Sequence, residues 1–525
     1  MHLLRRSYAG PARTNGGTAV ACAAVAVAAL CLLPIGYLFV AGISVSDVSR
    51  MFGYPTTLPT ILTTVALTLA VCAVCALLGV GCAYLVVRTD VPGRRLLTVL
   101  FAMPLAVPGF VSAYAVYSAN LVYLPRTEVV TTFQGAVLVL SLSLYPYVFL
   151  TCVVALRGLD PAQEEVGRSL RGGALPAFLR VTLPQLRPAV AAGVLIVSLH
   201  VLAEYGAMVQ LRQNTLTTRI LTEMTDYGNY RSARSLSLLL ALLAVAVLLV
   251  NRWLSGRSFP VTEGPGAMRP PRPARLGAVR LPVLLAAVVV PLAAVGPTVL
   301  MTARGLSRYS ARAAPAWDDL LGATGNTLAF AGRAALVATL LALPVSWWIS
   351  RRPGLPAQLT ERSVWLAHSV PNAVLALALV YLATRLVPSW YKTPALLVAA
   401  YVILFLPLAV ANQRVGLQTA LRSFDEVAAS LGSRAVRRLT RISLPLALPG
   451  VLTGALLVGL DASKELTTTL MLLPFNTQTL ATGLWATTNG ESLDFTAAAP
   501  NAAALVALGS VPVYLIVRHT LRFVR

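Results

Sequence analysis

Four ionisable side chains stand inside stretches apolar enough to cross a lipid bilayer. Glu204 lies in SLHVLAEYG (198–206), and Asp461, Lys464 and Glu465 lie in GLDASKELT (459–467). A charge held at mid-membrane costs about 2.5–3.5 kcal/mol on insertion scales, so such groups pair with one another or line an aqueous path. Asp461 and Lys464 are three residues apart and can meet on one helix face, and Glu465, four residues from Asp461, is placed to join them. One offset of 261 residues sets Glu204 on Glu465 and His200 on Asp461. Two readings are open. The charges form a local cluster that locks helix packing, or Glu204, Tyr205, Asp461, Lys464 and Glu465 form a polar gate or path lining.

The same offset superimposes a polar, Arg-rich segment on a second copy of itself. Residues 164–188 read EEVGRSLRGGALPAFLRVTLPQLRP and residues 425–449 read DEVAASLGSRAVRRLTRISLPLALP. Glu165 falls on Glu426, Leu183-Pro184 on Leu444-Pro445, and Pro188 on Pro449. In the second copy, carboxylates at Asp425 and Glu426 suit the first turn of a helix, and Gly432 permits a sharp break before a second short helix. An amphipathic connector explains one such copy. Two copies at one offset point to something that docks twice.

The elements that position these residues are membrane helices. The 525 residues are 57% hydrophobic and 12% charged, with mean hydropathy +0.75; soluble domains carry roughly 25% charged residues. Spans of ~20 apolar residues are expected near 18–42, 60–87, 97–120, 135–156, 188–211 and 235–254. A second set is expected near 281–303, 322–350, 362–387, 394–415, 449–473 and 499–517. The runs are continuous rather than short and alternating, which favours helices over a barrel. The N-terminal run is too long for a signal-peptide core and reads as a retained first span.

The net charge of +23 raises the possibility of nucleic acid, but its distribution answers otherwise. With the N-terminus in the cytoplasm and loops assigned alternately, Arg5, Arg6, Arg88, Arg94, Arg95, both repeated loops, residues 252–280 and the C-terminal tail fall on the inner side. This positive-inside asymmetry places both termini in the cytoplasm. The expected organisation is a tail (1–17), a six-span domain (18–254), a Pro-, Gly- and Arg-rich linker (255–280) and a second six-span domain (281–525). Six spans return the chain to the cytoplasm, so the halves share one orientation and a pseudo-two-fold along the membrane normal.

Several chemistries find no support. Cys72 and Cys75 form a C-x-x-C, but inside an apolar run, where cysteine is a small hydrophobe. No His/Asp metal cluster and no nucleophile–base set stands out. Lys392 and Lys464 are the only lysines, and neither sits in the G-x-x-x-x-G-K-[ST] context that cradles ATP phosphates. Energy for any transport must come from another subunit or an ion gradient.

Glu426-Val427-Ala428, Gly432 and Ile442-Ser443-Leu444-Pro445 resemble the EAA loop of bacterial ABC-importer permeases. The first copy departs at Arg171, where the family has glycine, with Gly172-Gly173 following, so its turn is expected one residue later. The segment KELTTTLMLLPFNTQTLAT (464–482) and AEYG (203–206) are similar to stretches of the ferric-iron group; fused thiamine permeases share the layout, and sulfate, molybdate and polyamine permeases share much of the loop. The resemblance implies an all-α type I importer permease fold of about twelve transmembrane helices, two permease domains fused in tandem, in a bacterial inner membrane. It implies two copies of an ATPase docking on Glu164, Glu165, Gly172, Leu183 and Pro184 and on Asp425, Glu426, Gly432, Leu444 and Pro445. It also implies an extracytoplasmic substrate-binding protein, lipid around the spans, and ATP bound by the partner, with no cofactor, resident metal or catalysis in this chain. The rival class is an ion-coupled carrier, which has no need of the duplicated loop.

Overall fold

A computed structural model describes residues 15–40, 52–159, 163–164, 166–167, 169, 174–254, 274–310, 316–351, 354–419, 430, 441, 444–488 and 495–522. Among the described residues the chain is helical apart from turns and one isolated bridge between Thr89 and Ala274. The first half comprises α1 (Asn15–Val40), α2 (Thr57–Arg88), α3 (Arg94–Ala102), α4 (Gly109–Tyr123), α5 (Phe133–Gly158), α6 (Leu183–Ala203), α7 (Gly206–Gln210), α8 (Leu216–Thr225) and α9 (Tyr230–Leu254). The second comprises α10 (Arg280–Ser310), α11 (Trp317–Arg351), α12 (Leu355–Ser369), α13 (Asn372–Leu386), α14 (Pro394–Thr419), α15 (Leu444–Lys464), α16 (Thr467–Leu472), α17 (Leu480–Thr488) and α18 (Phe495–Arg522).

Ten described helices are long and apolar enough to cross a membrane, or twelve if each of two broken pairs counts as one span. The broken pairs are the expected third and ninth spans. At 97–120 the helix is not continuous: α3 and a 3-10 turn (Met103–Ala106) end at Val107, and α4 departs at 92°. The cause is Pro108, which pushes Val107 out of the helical region and itself sits at φ −58°, ψ 144°. Pro371 repeats this at φ −57°, ψ 143° before α13. The expected fifth and eleventh spans also stop early, at Ala203 and Lys464, and short helices follow after two residues.

The contacts of the chain group into two compact units that interleave the sequence halves. One comprises Ile35–Gly332, Ser369–Ala400 and Leu460–Arg525. Its largest core joins α2, α5 and α6 through Leu67, Val71, Cys75, Tyr145, Val148, Phe149, Leu186 and Val197. Gly79 and Gly193 let backbones close on Val148, since a Cβ at either would stand 2.6 and 2.7 Å from Val148 atoms. Cys72 and Cys75 belong to this packed face. α2 buries that face while exposing Leu62, Leu69 and Leu77 on another, as a helix in contact with lipid does. Second-half residues complete the unit: Ala287 of α10 joins the same core, and Ala498, Ala502 and Leu505 of α18 pack with Val107, Phe110 and Tyr114.

The other unit comprises Met1–Pro34, Arg333–His368 and Tyr401–Gly459. Here Gly416 and Gly450 bring α14 and α15 into backbone contact, around a small core of Leu417, Ala447 and Val451 with Leu343 and Trp347. Gln413, fully buried, donates to Thr339 O (2.9 Å) and accepts from Ser346 Oγ (2.9 Å), and Arg414 pairs with Glu361.

Candidate functional site

The breaks at Glu204 and Glu465 share one backbone design. After Ala203 and after Lys464 the next amide reaches back three residues, Glu204 to Val201 O and Glu465 to Ala462 O, 3.4 Å in each case, and the chain leaves the helix. Each carboxylate then turns forward onto the short helix that follows. Glu204 Oε1 accepts from the Ala207 amide at 3.0 Å. Glu465 Oε2 accepts from the Thr468 and Thr469 amides at 2.9 and 3.3 Å. Charge-assisted bonds to otherwise orphaned helix-start amides are what let a carboxylate sit among apolar helices.

Each carboxylate also faces the first residue of a helix that follows a Val-Pro break. Glu465 Oε1 accepts from Asn372 Nδ2 at 2.8 Å and from Thr468 Oγ1 at 3.2 Å. Glu204 Oε2 faces Gly109, where a Cβ would stand 3.1 Å away. The breaks themselves adjoin. A Cβ on Gly206 would lie 2.6 Å from Leu466 Cδ2 and 2.7 Å from Phe110 Cβ, so glycine is what fits. Tyr205 packs on Trp485 with ring centroids 5.2 Å apart, and Gln210 Nε2 donates to Thr488 Oγ1 at 3.1 Å.

The duplication continues beyond the breaks. Arg212 and Asn476, 264 residues apart, both adopt positive φ (54° and 56°). Thr215 with Thr218, and Thr479 with Thr482, cap α8 and α17 in the same way. The Leu216 amide donates to Thr64 Oγ1 at 3.0 Å and the Leu480 amide to Thr327 Oγ1 at 2.9 Å.

Of the expected polar lining, Asp461 and Lys464 pair at 3.4 Å on one helix face, and Lys464 Nζ also lies 3.4 Å from Leu105 O. Glu465 does not join them. It stands past the helix end, where Asn372 and the Thr468–Thr469 turn draw its carboxylate away. His200, the offset partner of Asp461, holds Nδ1 2.9 Å from Ile196 O. A carbonyl only accepts, so Nδ1 carries a proton, and Nε2 lies 3.1 Å from Tyr147 Oη. Glu204 and Tyr205 are half-buried and Glu465 is buried. Among the described residues no three His, Cys, Asp or Glu gather as a metal site would require.

The docking-loop residues divide. Glu165, Gly172, Asp425, Glu426 and Gly432 lie outside the described residues. Leu183 and Pro184 follow a π-helical segment (Phe178–Thr182) without a break in the helix, and Leu444 and Pro445 head α15. Glu164 is buried, not presented outward. Its carboxylate lies 3.4 Å from Arg88 Nε and accepts from Tyr84 Oη at 3.3 Å, while Arg88 Nη2 donates to Leu156 O and Leu159 O at 3.0 and 3.2 Å. The guanidinium at the end of α2 takes Glu164 as its counter-charge.

Sequence reasoning reads MPLAVPG (103–109) as a kink or span start that could shape the path and Arg88 as an inner-side charge, and it passes over Asn372 and the partner of Arg88. An offset of 263 residues sets the Val-Pro-Gly of 107–109 on the Val-Pro-Asn of 370–372, and that signal was available in the text of the chain. An open cleft of about 530 Å3 lined by Asp318, Asp319, Asn326 and Gln478 shares none of the residues of the breaks.

The model of the family described as binding-protein-dependent transport system inner membrane component matches this chain twice, over residues 75–259 and 336–525. The chain belongs to this family. Each match covers one half, including its Glu-bearing break. The Fe(3+)-transport system permease protein FbpB 2 of Haemophilus influenzae is 30% identical over 447 residues, covering 85% of this chain and 87% of that protein. The molybdenum transport system permease protein ModB of Escherichia coli is 27% identical over 196 residues, 34% of this chain and 84% of that protein. A probable sulfate transport system permease protein of Nephroselmis olivacea is 28% identical over 247 residues, 43% of this chain and 86% of that protein. The family member described here is thus a polytopic, all-helical ABC-importer permease with two homologous halves in one chain.

Proposed function

We propose that the chain is the membrane subunit of an ATP-driven importer of ferric iron. The observation that carries this reading is the likeness to the iron permease across both halves, whereas the molybdate and sulfate relatives cover less than half of the chain. The site supports a cation over an oxyanion. Glu204 is half-buried where the halves adjoin, and its carboxylate repels sulfate or molybdate and attracts a hard cation. In this reading a binding protein delivers iron from outside. Two copies of an ATPase dock on 164–184 and 425–445, both termini are cytoplasmic, and ATP is bound by that partner. The paired breaks line the path or its gate, together with Asp461 and Lys464. No resident cofactor is required of this chain, whose sequence lacks a P-loop.

The test is uptake of radiolabelled ferric iron in cells lacking their own iron importer, with the chain supplied alongside its ATPase and binding protein. Iron uptake that excess molybdate, sulfate and thiamine do not compete supports the reading. Accumulation of one of those solutes in place of iron overturns the assignment of substrate. Uptake that persists when the ATPase is inactive overturns the ATP-driven class.

A further inference from the structure

The paired breaks are built on one scaffold and are held unequally. Pro108 and Pro371 have the same dihedral angles to within a degree, and α4 and α13 begin one residue later. Glu204 and Glu465 sit at one offset, and each caps an amide three residues ahead. At the carboxylates themselves, the differences in hydrogen-bond donors favour the second break. Asn372 stands where the first half has Gly109, and it donates to Glu465 Oε1 at 2.8 Å. Thr468 adds a hydroxyl at 3.2 Å where the first half has Ala207, and the Thr469 hydroxyl donates to the Glu465 backbone carbonyl at 2.6 Å where the first half has Met208; neither first-half side chain has a hydroxyl. Glu465 thus takes the Asn372 side chain, the Thr468 hydroxyl and two amides as donors, whereas the one described donor to Glu204 is the Ala207 amide.

We propose that these are a fixed and a moving latch. Asn372 is a positioning residue that holds Glu465, and with it α16, in place, while the absence of a side chain at Gly109 leaves Glu204 free to let go of α7. The first-half break is then the element that yields when the path opens. Tyr205 and Gly206, which abut Trp485 and Leu466, move with it, and the second-half break serves as the wall against which it closes. That last step rests on the reading that the paired breaks line the path. The inequality of the latches does not.

The two are separable by experiment. Backbone hydrogen exchange of the purified full-length chain in detergent should find the amides of α7 exchanging at least tenfold faster than those of α16. Gly109→Asn places an amide beside Glu204 as Asn372 does beside Glu465. The Cβ enters at 3.1 Å, so the carboxylate shifts by a few tenths of an ångström to receive it. This variant should slow α7 exchange severalfold and lower transport, and Gly109→Ala, which adds bulk without a donor, should not slow the exchange. Asn372→Gly should raise α16 exchange. Equal exchange in α7 and α16, or no slowing in Gly109→Asn, overturns the latch whatever the cargo is. Failure of the wild-type chain to take up iron, with unequal exchange intact, overturns the substrate reading alone. Unequal exchange combined with undiminished transport by a Gly109→Asn chain whose α7 has slowed overturns the role of Glu204 in opening.

Discussion

Replacing Glu164 separates two roles for the carboxylate that opens the first repeated loop. As a docking group it would be lost to the partner; as a brace it would be lost to Arg88. The geometry predicts the second. Arg88 and Glu164 are 3% and 5% exposed at their side chains, and removing one member of a buried pair costs about 3–5 kcal/mol. Arg88 retains its bonds to Leu156 O and Leu159 O, which continue to compensate its charge, so the lower end of that range, about 3 kcal/mol, is expected for Glu164→Ala. Glu164→Gln, which still accepts from Tyr84 but brings no charge, should lose about half as much. The assay is thermal unfolding of the purified chain in detergent, paired with measured affinity of the folded fraction for the ATPase. The expected result is a clearly lowered midpoint with unchanged affinity, and substantial recovery in Arg88→Met/Glu164→Leu, where neither charge remains. An unchanged midpoint with weakened ATPase binding would refute the reasoning and return Glu164 to the docking face.

Other outcomes follow from the same geometry. Glu465→Ala should destabilise the chain by about 3 kcal/mol, because Asn372 and two helix-start amides lose their acceptor, whereas Glu204→Ala should cost about 1–2 kcal/mol; comparative unfolding in detergent checks the order. Gly193→Ala should destabilise by roughly 1–3 kcal/mol, since the new Cβ meets Val148 Cα at 2.7 Å and backbone cannot yield as a side chain can, and folded yield and midpoint report it. Replacing Glu426 or Gly432 should abolish uptake while membrane insertion stays intact; normal uptake by such variants would remove the docking role of the second loop.

Much of this was legible because the chain states it twice. Apolar length located the membrane helices, and the spacing of Asp461 and Lys464 anticipated their pairing, since both lie on one continuous helix. What escaped the sequence depended on partners distant along the chain. Glu465 was expected beside Asp461 because periodicity was extended through it, but the helix ends one residue earlier and Asn372, 93 positions away, supplies the stronger attraction. Glu164 reads as part of the docking loop, and nothing in that loop's sequence names Arg88, at the end of another helix, as its counter-charge. The sharpness of the Val-Pro breaks was hidden for a different reason. A proline inside a long apolar run is compatible with a kink, a start or a bend, and hydropathy does not distinguish 92° from a gentle curve.

A permease made of two copies of one polypeptide must close its path with identical elements, so any bond added to one gate is added to both. Fusion of the halves removes that constraint. In this chain the scaffold positions have stayed alike: Pro108 and Pro371, Glu204 and Glu465, Thr215 and Thr479, with the same angles and caps in each half. At the breaks, Gly109 against Asn372 and Ala207 against Thr468 change the donors offered to each carboxylate. Two such differences suit a chain in which one half moves and the other stands, because strengthening the bonds of a single carboxylate changes which break yields first without altering the backbone path of either.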